Sequence, residues 1–421
     1  MAADSSGGPT KSSNAAAGAG AGAFHFRFLI PIIVSLVALP ALLLLLLLPP
    51  PQDPETWFLK LPALLRAHYS DGRTIKLRPS PDHPEIGVFS IRRGPPAADS
   101  PHRVLIVHGA GCSSFSFRRV VDSLAEANVH AAAIDLPGSG FSDRSVAVTQ
   151  NRDGGKNPLR GMWSVVEDIR EKGLFWGFDQ LIQQGYVNLP EKTTVINNPI
   201  EFNAGRLLEQ VIHSMPLPPP IDLVLHDTAF PLLSDWISQN PTTIRSLVLL
   251  DSSPNGTALP LWAFQTPLVK EMVMGMGCVF RRAVAGCCVA RWESGEEAEA
   301  HRVLLKGWDG GRSGMGASSS RSLDLGEWGG RNEQLPVKVI WSEGWSSEGR
   351  EVAAALPRAT LSLHSGGRWV QGRDAAVEVA QRIREFITSL PPPGGAELEL
   401  ELSRSRSQED VVSQLQDRCE L

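Results

Sequence analysis

Asp227 and Arg368 are the residues on which the chemistry of this chain turns. Asp227 lies in Leu225-His226-Asp227-Thr228-Ala229, an apolar run that ends in a carboxylate where a sharp strand-to-helix turn would lift it above a sheet. A carboxylate so placed can attack an electrophilic carbon and form an ester. Breaking that ester takes a water deprotonated by a general base, normally a His that an acid orients. The base belongs shortly after the last strand. That stretch reads His364-Ser365-Gly366-Gly367-Arg368-Trp369 and puts Arg368 in the position of the base. A guanidinium stays protonated at physiological pH and cannot accept a proton. The acid position is altered too: Ile340-Trp341-Ser342-Glu343-Gly344-Trp345 puts Trp345 there, with Glu343 and Glu348 as neighbours that could substitute. His108-Gly109-Ala110-Gly111, closing the run Val104–Val107, would present a backbone N–H for an oxyanion hole. All these positions are read as vestigial. Asp227 and Arg368 should converge above the sheet, where a carboxylate and a forked guanidinium would form a structural ion pair.

The other polar candidates have plainer readings. His364 lies four residues before Arg368 and would have to reach back across the site to act as a displaced base. His226 should point beneath the elbow, and His108 should brace its own turn. Asp135 and Asp143 frame Asp135-Leu136-Pro137-Gly138-Ser139-Gly140-Phe141-Ser142-Asp143, where Asp side chains hydrogen-bond turn amides more readily than they hold a metal. Five cysteines are scattered, with no CxxC or CxxH spacing for zinc, and the adjacent Cys287 and Cys288 are read as two thiols rather than a disulfide. No cofactor or metal is called for. A formal net charge of −5 gives no reason to expect nucleic-acid binding.

These side chains need a scaffold that alternates strands and helices, and the sequence supplies one. The continuously apolar runs Val104–Val107 and Leu247–Leu250 read as strands buried on both faces, and Ile221–Leu225 and Val337–Trp341, each with one charged residue, read as further strands of the sheet. Val129–Ile134 and Ala359–Leu363 add two more, and Thr74–Arg78 with Ile86–Arg92 an opening antiparallel pair. Helical spacing covers Phe117–Asn128, Phe202–Ser214, Ser234–Gln239 and Ala375–Thr388, and Trp57–Tyr69 forms a short helix interrupted by Pro62. The fold class is α/β, a mostly parallel sheet with helices on both faces. Two excursions, roughly residues 144–200 and 252–334, are too long for plain loops and read as lids.

The folded domain spans residues 53–390. Before it, residues 28–48 form an uncharged stretch of 21 residues, long enough to cross a bilayer as a single-pass anchor. No small-residue cleavage site follows, so a retained anchor is expected rather than a cleaved signal peptide. The Gly/Ala/Ser-rich residues 1–27 and the Pro-led, charged residues 391–421 read as disordered tails.

The HG turn, the DxPGxGxS segment and the His-Asp elbow resemble the α/β-hydrolase fold, and within it haloalkane dehalogenases and epoxide hydrolases. Three departures count against either chemistry. Thr228 stands where a dehalogenase carries its halide-binding Trp. The chain has only two tyrosines, Tyr69 and Tyr186, for the acid role epoxide opening needs. Arg368 replaces the base.

A longer string, Asp53-Pro54, Trp57-Phe58-Leu59, Leu61-Pro62, His68-Tyr69-Ser70 and Gly72-Arg73-Thr74-Ile75-Lys76, resembles the plant auxin response four family. Leu259-Pro260-Leu261-Trp262, Leu304-Leu305-Lys306-Gly307, His364-Ser365-Gly366 and Arg368-Trp369 extend the match. That resemblance implies a non-enzymatic, α/β-hydrolase-like accessory protein anchored in the endoplasmic reticulum membrane. Its partner would be a membrane-protein client, the auxin influx carrier, which needs help to reach the plasma membrane. The alternative is an active membrane-bound hydrolase acting on a lipid or ester through Asp227 and an unrecognised base.

Overall fold

The structure is a computed structural model. It describes residues 54–78, 84–150, 194–199, 202–307 (apart from 255 and 258) and 323–391 (apart from 371). The expected anchor and both expected tails lie outside these residues, except for Pro391. Among the described residues, no helix is long and apolar enough to cross a membrane.

In chain order the elements are α1 (Pro54–Leu59), α2 (Ala63–Asp71), β1 (Gly72–Leu77), β2 (Ile86–Arg93), β3 (Arg103–Val107), α3 (Ser114–Glu126), β4 (His130–Ile134), β5 (Ser145–Gln150) and β6 (Thr194–Pro199). Then follow α4 (Ala204–Ser214), β7 (Ile221–His226), α5 (Ala229–Gln239), β8 (Ile244–Leu250), α6 (Leu261–Gln265), α7 (Pro267–Gly275), α8 (Gly277–Ala285) and α9 (Gly295–Lys306). The chain continues through α10 (Leu325–Arg331), β9 (Val337–Ser342), α11 (Ser346–Ala355), β10 (Thr360–His364) and α12 (Arg373–Ser389).

Eight strands make one sheet in the order β1-β2-β4-β3-β7-β8-β9-β10. β2 pairs antiparallel with both β1 and β4, and every pair from β4 to β10 is parallel. Every residue of β4 and β7 is buried, so neither strand alternates, and Asp222, the charge inside β7, is paired with Arg245 at 2.8 Å. One face of the sheet is covered by α3 and α12, through Phe117, Val121, Val379 and Ile383. The other is covered by α4, α5, α10 and α11, through Leu207, Phe230, Trp328 and Val352.

The expected single helix over Trp57–Tyr69 is two helices, because Pro62 lacks the N–H that would continue the first and caps the second. His68 on α2 meets Ser114 Oγ at 3.1 Å, tying this segment to the start of α3.

The later excursion carries α6 to α9, but its last helix does not belong to a lid. Trp328 of α10 donates from Nε1 to Ser234 O (2.9 Å) and meets the Phe230 ring edge-on, so α10 packs under the sheet beside α5. The earlier excursion contains the antiparallel pair β5–β6, and residues 151–193 between them lie outside the description. Cys287 and Cys288, read as separate thiols, are joined in a disulfide. The N–H groups of Cys287, Cys288 and Val289 all turn in on Val284 O as α8 closes, and this tight turn brings the two sulfurs together.

Candidate functional site

β7 delivers Asp227 to the C-terminal edge of the sheet, and the chain reverses there into α5. Asp227 has φ +49°, in the left-handed region, and is 4% exposed. A non-glycine residue in that conformation marks the strained elbow on which hydrolases of this topology present a nucleophile. Asp tolerates it better than most side chains because its short carboxylate bonds locally. The turn is fixed from both sides: Asp227 N–H donates to Leu250 O (3.3 Å), and Ser252 Oγ donates to Asp227 O (2.5 Å). So the elbow foreseen at Leu225–Ala229 is present.

The turn after β3 lies directly against it. A Cβ on Gly109 would fall 2.5 Å from both His226 O and Thr228 N, so only glycine lets the two backbones approach this closely. Ala110 N–H, the expected oxyanion donor, is already engaged, since Thr228 Oγ1 accepts from it at 3.0 Å. The hydroxyl that replaces a dehalogenase's Trp therefore fills the position a substrate oxyanion would take.

Both histidines of the region brace it. His108 accepts Leu136 N–H at Nε2 (2.9 Å), which leaves Nδ1–H to donate to Gly109 O (2.8 Å). His226 accepts Gly109 N–H at Nδ1 (3.3 Å) and donates from Nε2 to Arg368 O (2.8 Å). Burial lowers the pKa of both, that of His226 to about 4, so each ring is neutral as its bonds require. Asp135 accepts from Ser114 N (2.5 Å) and Phe141 N (2.8 Å), and Asp143 accepts from Gly87 N (2.6 Å). Both carboxylates take backbone amides, as expected, but only Phe141 lies in the turn itself; Ser114 opens α3 and Gly87 lies in β2, so they also tie the turn to its neighbours. Cys112, beside the oxyanion turn, is no substitute nucleophile, because burial pushes its thiol pKa up.

Arg368 sits where a base would stand, but its partner is not the expected one. Its guanidinium, 6% exposed, donates from Nη2 to Glu348 Oε2 on α11 and lies 5.5 Å from the Trp345 ring and 5.7 Å from the Trp341 ring. The pairing expected with Asp227 is thus made with Glu348. The reason lies in the main chain. His226 holds the Arg368 carbonyl beneath the elbow, and Trp369 N–H is held by Cys288 O (2.7 Å), so the side chain leaves toward α11.

A second hydrogen-bonded pair escaped the sequence reading. His364, the discounted base at the end of β10, bonds through Nε2 to Asp251 Oδ2 (2.8 Å), and both side chains are fully buried. Asp251 follows β8 with φ +45°, accepts Ser342 N–H at Oδ1 (2.8 Å), and donates its own N–H to Ile340 O (2.9 Å). The pair ties the ends of β8, β9 and β10 together. The other ring nitrogen of His364 has no hydrogen-bond partner and lies against Gly366, where a Cβ would come within 3.2 Å. The available signal is an Asp directly after the run Leu247–Leu250.

No family model matches the sequence. Among solved structures, the chain is similar to a thermophilic esterase from Thermogutta terrifontis (TM-score 0.50, 14% identity, 75% of this chain and 98% of that one). It is also similar to a carboxylesterase from Bacillus subtilis (TM-score 0.50, 10% identity, 80% of this chain and 100% of that one). At such identities the likeness speaks for the fold alone. Together with the strand order and the elbow, it defines this as a protein of the α/β-hydrolase fold.

Proposed function

We propose that this chain is a hydrolase-fold protein without turnover, a membrane-anchored accessory that helps auxin influx carriers leave the endoplasmic reticulum and reach the plasma membrane. The observation that carries the non-enzymatic half is the placement of Arg368: a permanently charged side chain stands in the base position with its bond directed to Glu348. The capped Ala110 N–H supports the same reading. The carrier and the compartment rest on the sequence resemblance, and the anchor on the uncharged stretch Phe28–Leu48.

A second reading is an active ester or lipid hydrolase that uses Asp227 as nucleophile and the His364–Asp251 pair as a displaced base and its orienter. Asp227→Asn separates the two, because Asn keeps the left-handed backbone while removing the attacking carboxylate. Plants lacking the protein are complemented with this variant, carrier localisation is scored, and purified protein is assayed on an ester panel. Restored localisation with no wild-type turnover is expected. Arg368→His is also expected to stay inactive, since Trp345 and the capped oxyanion turn remain. Wild-type turnover that Asp227→Asn abolishes would replace the accessory reading with the enzymatic one.

A further inference from the structure

Arg368 lines an open cleft of about 330 Å³ above the base position, whose wall also includes Thr257, Cys287, Trp345 and Glu348. That volume is at the small end of ligand sites, which run from roughly 300 to 1,000 Å³. Its charged wall is incomplete in a specific way. A guanidinium presents Nε–H and one Nη2–H side by side, a fork that matches the two oxygens of one carboxylate. Here Glu348 takes Nη2 through a single oxygen, Oε2, while Nε is buried with no hydrogen-bond partner. Half of the fork is left without a protein partner. Arg368 is 6% exposed, whereas 45% of the Glu348 side chain is in solvent. The arginine is fixed, and the glutamate is free to leave it for water.

We propose that this cleft binds a small organic monocarboxylate, which takes the Nε–Nη2 edge of Arg368 with both oxygens and displaces Glu348 toward solvent. Among the described residues, no lysine and no second arginine lines the cleft. A single cation suits a monoanion, and a phosphate dianion would remain half-neutralised. The half-buried Trp345 ring offers an apolar wall for the body of the ligand. Glu348 acts as an internal competitor, an occupant with the same chemistry as the ligand that engages Arg368 in its absence. This site goes beyond the accessory role and holds whether or not Asp227 reacts.

The test is calorimetric titration of the detergent-solubilised full chain with three probes: benzoate, its neutral counterpart benzamide, and inorganic phosphate. Benzoate is expected to bind, benzamide and phosphate not. Glu348→Gln removes the competitor's charge and should tighten benzoate roughly tenfold, about 1.4 kcal/mol. Arg368→Gln should abolish binding. Should that variant fail to fold, Arg368→Lys keeps the charge without the fork and should weaken benzoate at least several-fold. Equal binding of benzamide, a preference for phosphate, or undiminished affinity in both arginine variants would overturn the proposal. So would an unchanged affinity in Glu348→Gln, or no binding by either wild type or Glu348→Gln at millimolar benzoate.

Discussion

At Arg368 the contrast between a buried guanidinium and a half-exposed partner sets the cost of removing it. Breaking a fully buried ion pair from one side costs about 3–5 kcal/mol because a charge is left stranded. Glu348 is not stranded, since 45% of its side chain already meets solvent. What Arg368→Ala removes is the packing of the side chain beside Trp341 and Trp345 and the cation–π contribution of those rings. The expected loss is therefore smaller, about 1–2 kcal/mol, read from the urea midpoint at constant m-value. A loss above 3 kcal/mol would mean that Glu348 cannot rehydrate. Asp227 and Arg368 are legible in the sequence because each sits in a recognisable string between apolar runs. Glu348 as the partner is not. It lies 20 residues before Arg368 on another element, and partner choice is settled by how His226 and Cys288 orient the main chain.

Among the elements, the C-terminal edge of the sheet is held by the His364–Asp251 hydrogen bond, and the full cost of an unsatisfied buried group belongs there. Both side chains are at 0% exposure, so removing the imidazole takes from Asp251 Oδ2 its buried partner. His364→Ala should destabilise the domain by about 1–3 kcal/mol, the cost of leaving a buried acceptor unsatisfied. His364→Gln, whose amide can still donate toward Asp251, should recover part of that loss, with both variants compared by urea denaturation. Similar stability in His364→Ala and wild type would show that the brace carries no weight. The strands themselves were legible, since a parallel strand covered on both faces is mostly apolar even where a single residue such as Asp222 or Lys338 interrupts it. The helix α10 was not. It lies just after a Gly- and Ser-rich stretch, and its attachment depends on one tryptophan reaching Ser234 O, a contact without periodicity. The disulfide was missed for a related reason: adjacency in sequence does not say how the turn after α8 directs two sulfurs.

For the molecule as a whole, burial of neutral imidazoles makes stability depend on pH. His226, beneath the elbow, has its pKa lowered by burial to about 4, and His68, on the N-terminal helix pair, to about 3. An unfolded chain binds protons at these residues near the ordinary histidine value, about 6.5. Their folded pKa values are depressed, so the unfolded state binds more protons between about 6.5 and the folded value. The stability they allow is complete above about 6.5 and is lost as pH falls, down to about 4 for His226 and about 3 for His68. Each contributes a slope of up to about 1.4 kcal/mol per pH unit inside its window. Asp122 and Asp135, whose carboxyls burial pushes up, act with the opposite sign, so a wild-type curve alone does not isolate the histidines. A difference does. His226→Gln can still accept from Gly109 N–H and donate to Arg368 O, but it does not titrate. The stability gap between wild type and His226→Gln should shrink by about 2 kcal/mol between pH 7 and pH 5, as wild type alone carries the proton penalty. Urea denaturation of both proteins across that range measures the gap. A gap independent of pH would mean that the ring beneath the elbow is not held neutral, and the brace between the oxyanion turn and Arg368 would have to be redrawn.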